Sequence, residues 1–236
     1  MRLKKLGAAL FVVAALSAVL AGSAFATAVT TEVSGGGMAQ WYTGTSSGTL
    51  LSGSETLSAE AVGTGTLTFE TEAGTKYAIQ SKKVSCIGCK IENVGGTAVG
   101  VGQLKFEEVS VVEPAGCSTT STITSTALSV TADWMEGTSA VDLIKFTPTK
   151  GETTAFATVS ITGCALETTL VPKGNVFVSA QNDTGVQAVG QEIHSSATIN
   201  KNAGGSLKVG SKEASLAANA IFKLSGSKAG TAFGTH

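Results

Sequence analysis

Ala214-Ser215-Leu216-Ala217-Ala218-Asn219-Ala220-Ile221-Phe222-Lys223-Leu224 is the stretch whose pattern decides the fold. Leu216, Ala218, Ala220, Phe222 and Leu224 recur at every second position, and Ser215, Ala217, Asn219 and Lys223 take the alternate ones, with Ile221 the exception. Side chains of an extended chain point to opposite faces in turn, so this spacing predicts a long strand with one face in a core. A helix would repeat its apolar residues every third or fourth position, and residues 27–236 show almost none of that spacing.

Working outward, the same period-two pattern recurs at 64–70 around Leu67 and Phe69, and at 76–80 with Tyr77 and Ile79 on one face. Further runs lie at 122–134, 141–146, 155–163, 175–180 and 206–209. Within 103–112, Leu104 and Phe106 share one parity while Val109 and Val111 share the other. A one-residue slip reverses the faces, so a β-bulge is expected near Glu107 and Glu108. Turn-forming clusters at 72–75, 93–96, 149–152, 172–175 and 202–205 separate the runs. The least strand-like stretch, 186–194, reads as a short helical or irregular crossing. About ten strands at this spacing predict an all-β fold, a β-sandwich or jelly-roll, as a single domain over residues 27–236.

The remainder of the chain, residues 1–26, reads as an address rather than as structure. Arg2, Lys4 and Lys5 form a positive start, an apolar run follows from Leu6 to Leu20, and Ala24-Phe25-Ala26 offers small residues for a signal peptidase. That is the pattern of a cleaved signal peptide, and the apolar run is shorter than the ~20 residues of a membrane span. No Cys sits just after the apolar run, and the C-terminal end lacks a hydrophobic tail. The expected product is secreted or extracellular, without a lipid anchor and without a membrane span in the mature chain.

Composition narrows the function classes. Of 236 residues only 14% are charged, the formal net charge is -1, and Ser and Thr together number 57, so the surface draws its polarity from hydroxyls. Such a balance supplies no Lys/Arg stripe to displace phosphate counterions, which excludes nucleic acid as the expected partner. No phosphate-binding glycine loop, zinc-protease helix or calcium loop is present as a motif, so no cofactor, metal or catalytic residue is assigned. Gly44-Thr45-Ser46-Ser47-Gly48 matches the nucleophile-elbow pattern in letters, but the strand-turn-helix setting it needs is missing from the pattern around it.

Four cysteines remain: Cys86, Cys89, Cys117 and Cys164. An even number in an exported chain favours disulfides. Cys117 and Cys164 each follow Gly at the end of an alternating run, which favours pairing them and leaves Cys86 with Cys89. The candidate ligand-binding residues are Trp41 and Tyr42, which an exposed position would let stack on a sugar ring, and Asp133 with Trp134. Asp133-Trp134-Met135-Glu136 sets an aromatic among carboxylates, and Asp133 and Glu136 are the pair a carbohydrate hydrolase would use.

Read as an ordered set, Cys86-Ile87-Gly88-Cys89-Lys90-Ile91-Glu92-Asn93, Gly102 to Phe106, Pro114-Ala115-Gly116-Cys117, Lys145-Phe146-Thr147-Pro148, Gly163-Cys164-Ala165-Leu166 and Lys223-Leu224-Ser225-Gly226 resemble a group of exported proteins that occur in many copies in some high-GC soil bacteria. The resemblance implies a bacterial, secreted, β-rich protein and carries over no activity, cofactor or site residue. The leading expectation is a non-enzymatic secreted or cell-surface protein that binds envelope polysaccharide or a partner protein. A secreted carbohydrate-active hydrolase and a self-associating structural coat component are the alternatives.

Overall fold

The computed structural model describes residues 39–44, 48–135, 141–164, 168–180 and 189–235, with the side chains of 133–135 and 141–142 left aside. In chain order the first strands are β1 (Trp41–Thr43), β2 (Thr49–Leu50), β3 (Glu55–Ala61), β4 (Gly65–Glu70), β5 (Lys76–Ser81), β6 (Lys83–Val94) and β7 (Thr97–Glu107). There follow β8 (Ser110–Glu113), β9 (Ser118–Thr119), β10 (Thr122–Thr124), β11 (Leu128–Met135) and β12 (Val141–Pro148). Next come β13 (Val159–Thr162), β14 (Thr168–Leu170), β15 (Pro172–Lys173), β16 (Val176–Ala180) and β17 (Gln191–Ser195). A short helix, α1 (Ala197–Asn202), precedes β18 (Lys208–Val209), β19 (Lys212–Leu224) and β20 (Phe233–Thr235).

The all-β class agrees with the alternation, but the architecture is a closed barrel where a sandwich or jelly-roll was expected. Eight antiparallel strands run β17-β16-β12-β11-β7-β6-β3-β19, and β19 pairs back to β17 to close the ring. The reason lies in β19, whose 13 residues are long enough to serve two sheets. Its C-terminal part lies between β17 and β3, while Ala214 to Ala217 pair with β4 and begin a second sheet of order β19-β4-β5-β8. Many strands are only two or three residues long, which takes the number above the expected ten.

The two faces of β19 sort as the alternation demands. Ala220, Phe222 and Leu224 are buried, Leu216 and Ala218 half-buried, and Phe222 reaches into the barrel beside Ile144, Phe146 and Ile193. Two spaces inside the barrel measure about 50 and 60 Å³, far below the ~300–1,000 Å³ of small-molecule pockets. An eight-stranded barrel is just wide enough for its own side chains to fill it, and here they do. Where β7 crosses the crowded interior it carries Gly100 and Gly102, and a Cβ on Gly102 would sit 2.5 Å from Cys89 Sγ.

Two further expectations are corrected. The parity change at Glu107 and Glu108 is no bulge within one strand: β7 ends at Glu107 in the barrel, Glu108 takes φ +52°, and β8 joins β5 in the second sheet. Ladder irregularities fall instead between Ile87 and Lys90 of β6, at the Cys86–Cys89 disulfide, and between Ala78 and Ile79 of β5 where it pairs with β8. Gln191 to His194, the end of the stretch read as a crossing, belongs with Ser195 to the strand β17 that closes the barrel; a short helix follows it. Its inward residues Gln191 and Ser195 are polar, so no apolar alternation announces it.

Candidate functional site

Trp41 does not present a ring face for stacking. It is 4% exposed, its Nε1 donates to the Val99 carbonyl at 3.0 Å, and its ring lies 6.3 Å from Phe233. The sheet β2-β1-β20 lays these two rings over one end of the barrel, where both line the same interior space. Burial of a large aromatic explains the position better than ligand contact does. Tyr42, next to it, is half-buried. Asp133 and Trp134 lie in β11, paired with Leu143 and Asp142; their side chains, like Glu136, Ser46 and the 181–188 stretch, fall outside the described residues.

An open cleft of about 580 Å³ lies elsewhere, between α1 and the end of the second sheet. Its floor holds the rings of Phe69 and Tyr77, stacked at 5.1 Å between centroids and 7° between planes because the two residues face each other across β4 and β5. Thr68 and Ser215 add hydroxyls, while the buried Asn200 amide is taken up by the Phe177 N–H, Ser195 and Ser196. Six exposed charges line the cleft, Glu70, Glu113 and Glu213 against Lys76, Lys201 and Lys208.

Strand register sets these charges. Glu70 stands opposite Lys76 at the mouth of the β4–β5 turn, and Lys208 stands opposite Glu213. Even so, no ion pair within 4.0 Å joins any of the six among the described residues, while Lys83–Glu108, Lys105–Glu107 and Lys145–Glu152 are paired on other faces. Charges of both signs that are not spent on each other can donate to and accept from a hydroxyl-rich ligand. None of these residues stood out in the sequence. The turn at 72–75 did imply that Glu70 and Lys76 face each other, but the approach of α1 and β18 depends on the closed barrel.

One wall of the cleft is held from behind. Glu152 accepts from Asn175 Nδ2 at 2.6 Å and Ser206 Oγ at 2.9 Å, with Lys145 Nζ at 3.1 Å. Asn175 and Ser206 bond each other twice more through their backbone N–H groups, which fixes the 203–207 segment against β16. The Asn175 hydrogen bond, aided by Lys145 and Ser206 and opposed by desolvation, holds the Glu152 carboxyl below the ordinary glutamate value. A lowered folded-state pKa gives stability that is present above the unfolded pKa and is lost as pH falls through the folded one. Thermal melts from about pH 6 down to about pH 3 should therefore show a smaller acid-induced loss in Glu152→Gln than in the parent, from a lower starting point at neutral pH. Parallel curves would remove this role.

The cysteines pair as favoured above, Cys86 with Cys89 (Cα–Cα 5.6 Å) and Cys117 with Cys164 (4.7 Å). Cys86 and Cys89 lie in a strand, not at the helix start a redox pair would use. His194 sits on β17 at 3.8 Å from Glu192. Among the described residues no group of three or more His, Cys, Asp or Glu is placed to hold a metal, and no helix is long and apolar enough to cross a membrane. Compared with known protein families, with curated proteins and with solved structures, the chain matches none.

Proposed function

We propose that this is an exported, cell-surface protein that binds envelope polysaccharide in the cleft between α1 and the second sheet, without catalysis. The carrying observation is the set of six charges around that cleft, three of each sign, none ion-paired among the described residues, above a stacked aromatic floor. Carboxylates accept hydrogen bonds from neighbouring sugar hydroxyls, ammonium groups donate to hydroxyl and ring oxygens, and balanced signs leave the cleft without preference for a strongly charged polymer. The signal-peptide pattern of residues 1–26, the two disulfides and the likeness of the ordered motifs to exported proteins of high-GC soil bacteria support the setting.

The test is retention of the oxidised protein on insoluble cell wall and on a panel of polysaccharides. Ala197 is exposed at the first turn of α1 and lines the cleft, so Ala197→Trp blocks it without entering the core. The expected result is retention by one polymer, reduced at least about tenfold by Ala197→Trp and by Lys76→Ala with Glu213→Ala, at unchanged melting temperature. Retention by no polymer, or retention indifferent to these variants, would overturn the reading. New reducing ends on the bound polymer would convert it to the hydrolase alternative.

A further inference from the structure

The outside of the barrel is polar almost all the way round. Ser58 and Glu60 on β3, Ser129 and Thr131 on β11, Glu192 and His194 on β17, and Asn219 and Lys223 on β19 occupy the outward positions. One apolar exterior patch, Leu143 with Phe177, is covered by α1 through Ile199 and Ala203. A second is not covered. On the β6–β7 hairpin, the longest pairing in the fold, Ile87 is 44% exposed, Val101 51% and Val94 55%, with Val99 half-buried between them.

We infer that this face of β6 and β7 is the contact between two copies of the chain, related by a two-fold axis. The charge pattern in the patch selects that occupant. Lys90 and Glu92 lie two residues apart on the same outward face of β6, both are exposed, and neither is ion-paired among the described residues. A two-fold axis level with Ile91 sets Lys90 of one copy against Glu92 of the other, twice, and lays the valines and Ile87 on either side. A patch carrying both signs in this order is complementary to itself. Because β6 and β7 are both paired inside a closed ring, the contact is made by side chains and not by adding a strand to an edge. None of the residues lining the cleft lies on β6 or β7, so the inference stands apart from the polysaccharide reading.

Sedimentation of the oxidised protein over about 1 to 300 μM tests it, since a two-strand patch belongs with the smaller, concentration-dependent interfaces. A monomer–dimer equilibrium is expected, weakened at least about tenfold by Val101→Lys and by either Lys90→Glu or Glu92→Lys, each of which sets like charges against each other. The Lys90→Glu and Glu92→Lys proteins, mixed in equal amounts, should dimerise again, because every facing pair is then of opposite sign. All three positions are on the surface, and unchanged melting temperatures will show that folding is intact. A monomer at every concentration, association that ignores Val101→Lys, or charge-reversed proteins that fail to rescue each other would overturn the inference.

Discussion

Trp41→Ala is expected to cost about 3–5 kcal/mol of stability, the range for removing a large aromatic from a packed core. The truncation removes the ring that, with Phe233, closes one end of the barrel. It enlarges a space that already measures about 50 Å³, so the neighbouring Leu57, Ile91 and Leu128 lose contacts that they cannot recover by small shifts. It also leaves the Val99 carbonyl without the indole N–H that it accepts at 3.0 Å. The bonds between the Trp41 backbone and the Asn93 side-chain amide, Trp41 N–H to Oδ1 at 2.7 Å and Nδ2 to the Trp41 carbonyl at 2.9 Å, depend on no side chain at 41 and should survive. Trp41→Phe, which keeps a six-membered ring in place but loses the fused pyrrole and its donor, should therefore fall between the two proteins. Denaturant midpoints give the measurement. A loss below about 1 kcal/mol with abolished polysaccharide retention would restore Trp41 to the stacking role that its neighbourhood with Tyr42 first suggested.

What could be read along the chain was local, and what could not was the closure. Leu216, Ala218, Ala220, Phe222 and Leu224 fixed the inward face of β19, because alternation is a property of one strand whatever it pairs with. Whether that strand lies in a sandwich or a barrel depends on partners far away in the chain, Leu57 to Ala61 on one edge and Gln191 to Ser195 on the other. The second partner was hidden by its chemistry. Gln191 and Ser195 are buried polar residues satisfied by the Phe233 and Leu216 carbonyls, so a strand that closes the core carried no apolar signature. Glu107 and Glu108 show the converse: the change of parity was visible, but a bulge and a crossing between two sheets leave the same mark in the pattern. The cleft was illegible for a third reason. Its charges come from 70, 76, 113, 201, 208 and 213, ordinary surface residues that only the shared strand β19 and the docking of α1 bring to one place.

Loss of the Cys117–Cys164 bond should destabilise the protein by about 4 kcal/mol, and loss of Cys86–Cys89 by about 1–2 kcal/mol, from the closure entropy of the loops they define. The separations are 47 and 3 residues, so the first bond restrains a long piece of the unfolded chain and the second very little of it. The folded side of the balance points the same way. Cys117 is buried and its bond joins the ends of β9 and β13, which are otherwise paired at only two positions, Ile161 with Thr119 and Thr162 with Ser118. That small sheet has few hydrogen bonds of its own to keep it in register once the bond is gone. Cys86 and Cys89, by contrast, lie inside β6, where ten cross-strand partners on β7 hold the ladder on both sides of the irregularity. Cys117→Ala with Cys164→Ala and Cys86→Ala with Cys89→Ala, compared by denaturant unfolding under oxidising conditions, separate the two contributions. The first protein should unfold at markedly lower denaturant, and adding reductant should bring the parent down to a point at or below it. Equal midpoints for the two double variants would mean that the β9–β13 sheet stands without its staple, and that loop length does not govern what these disulfides contribute.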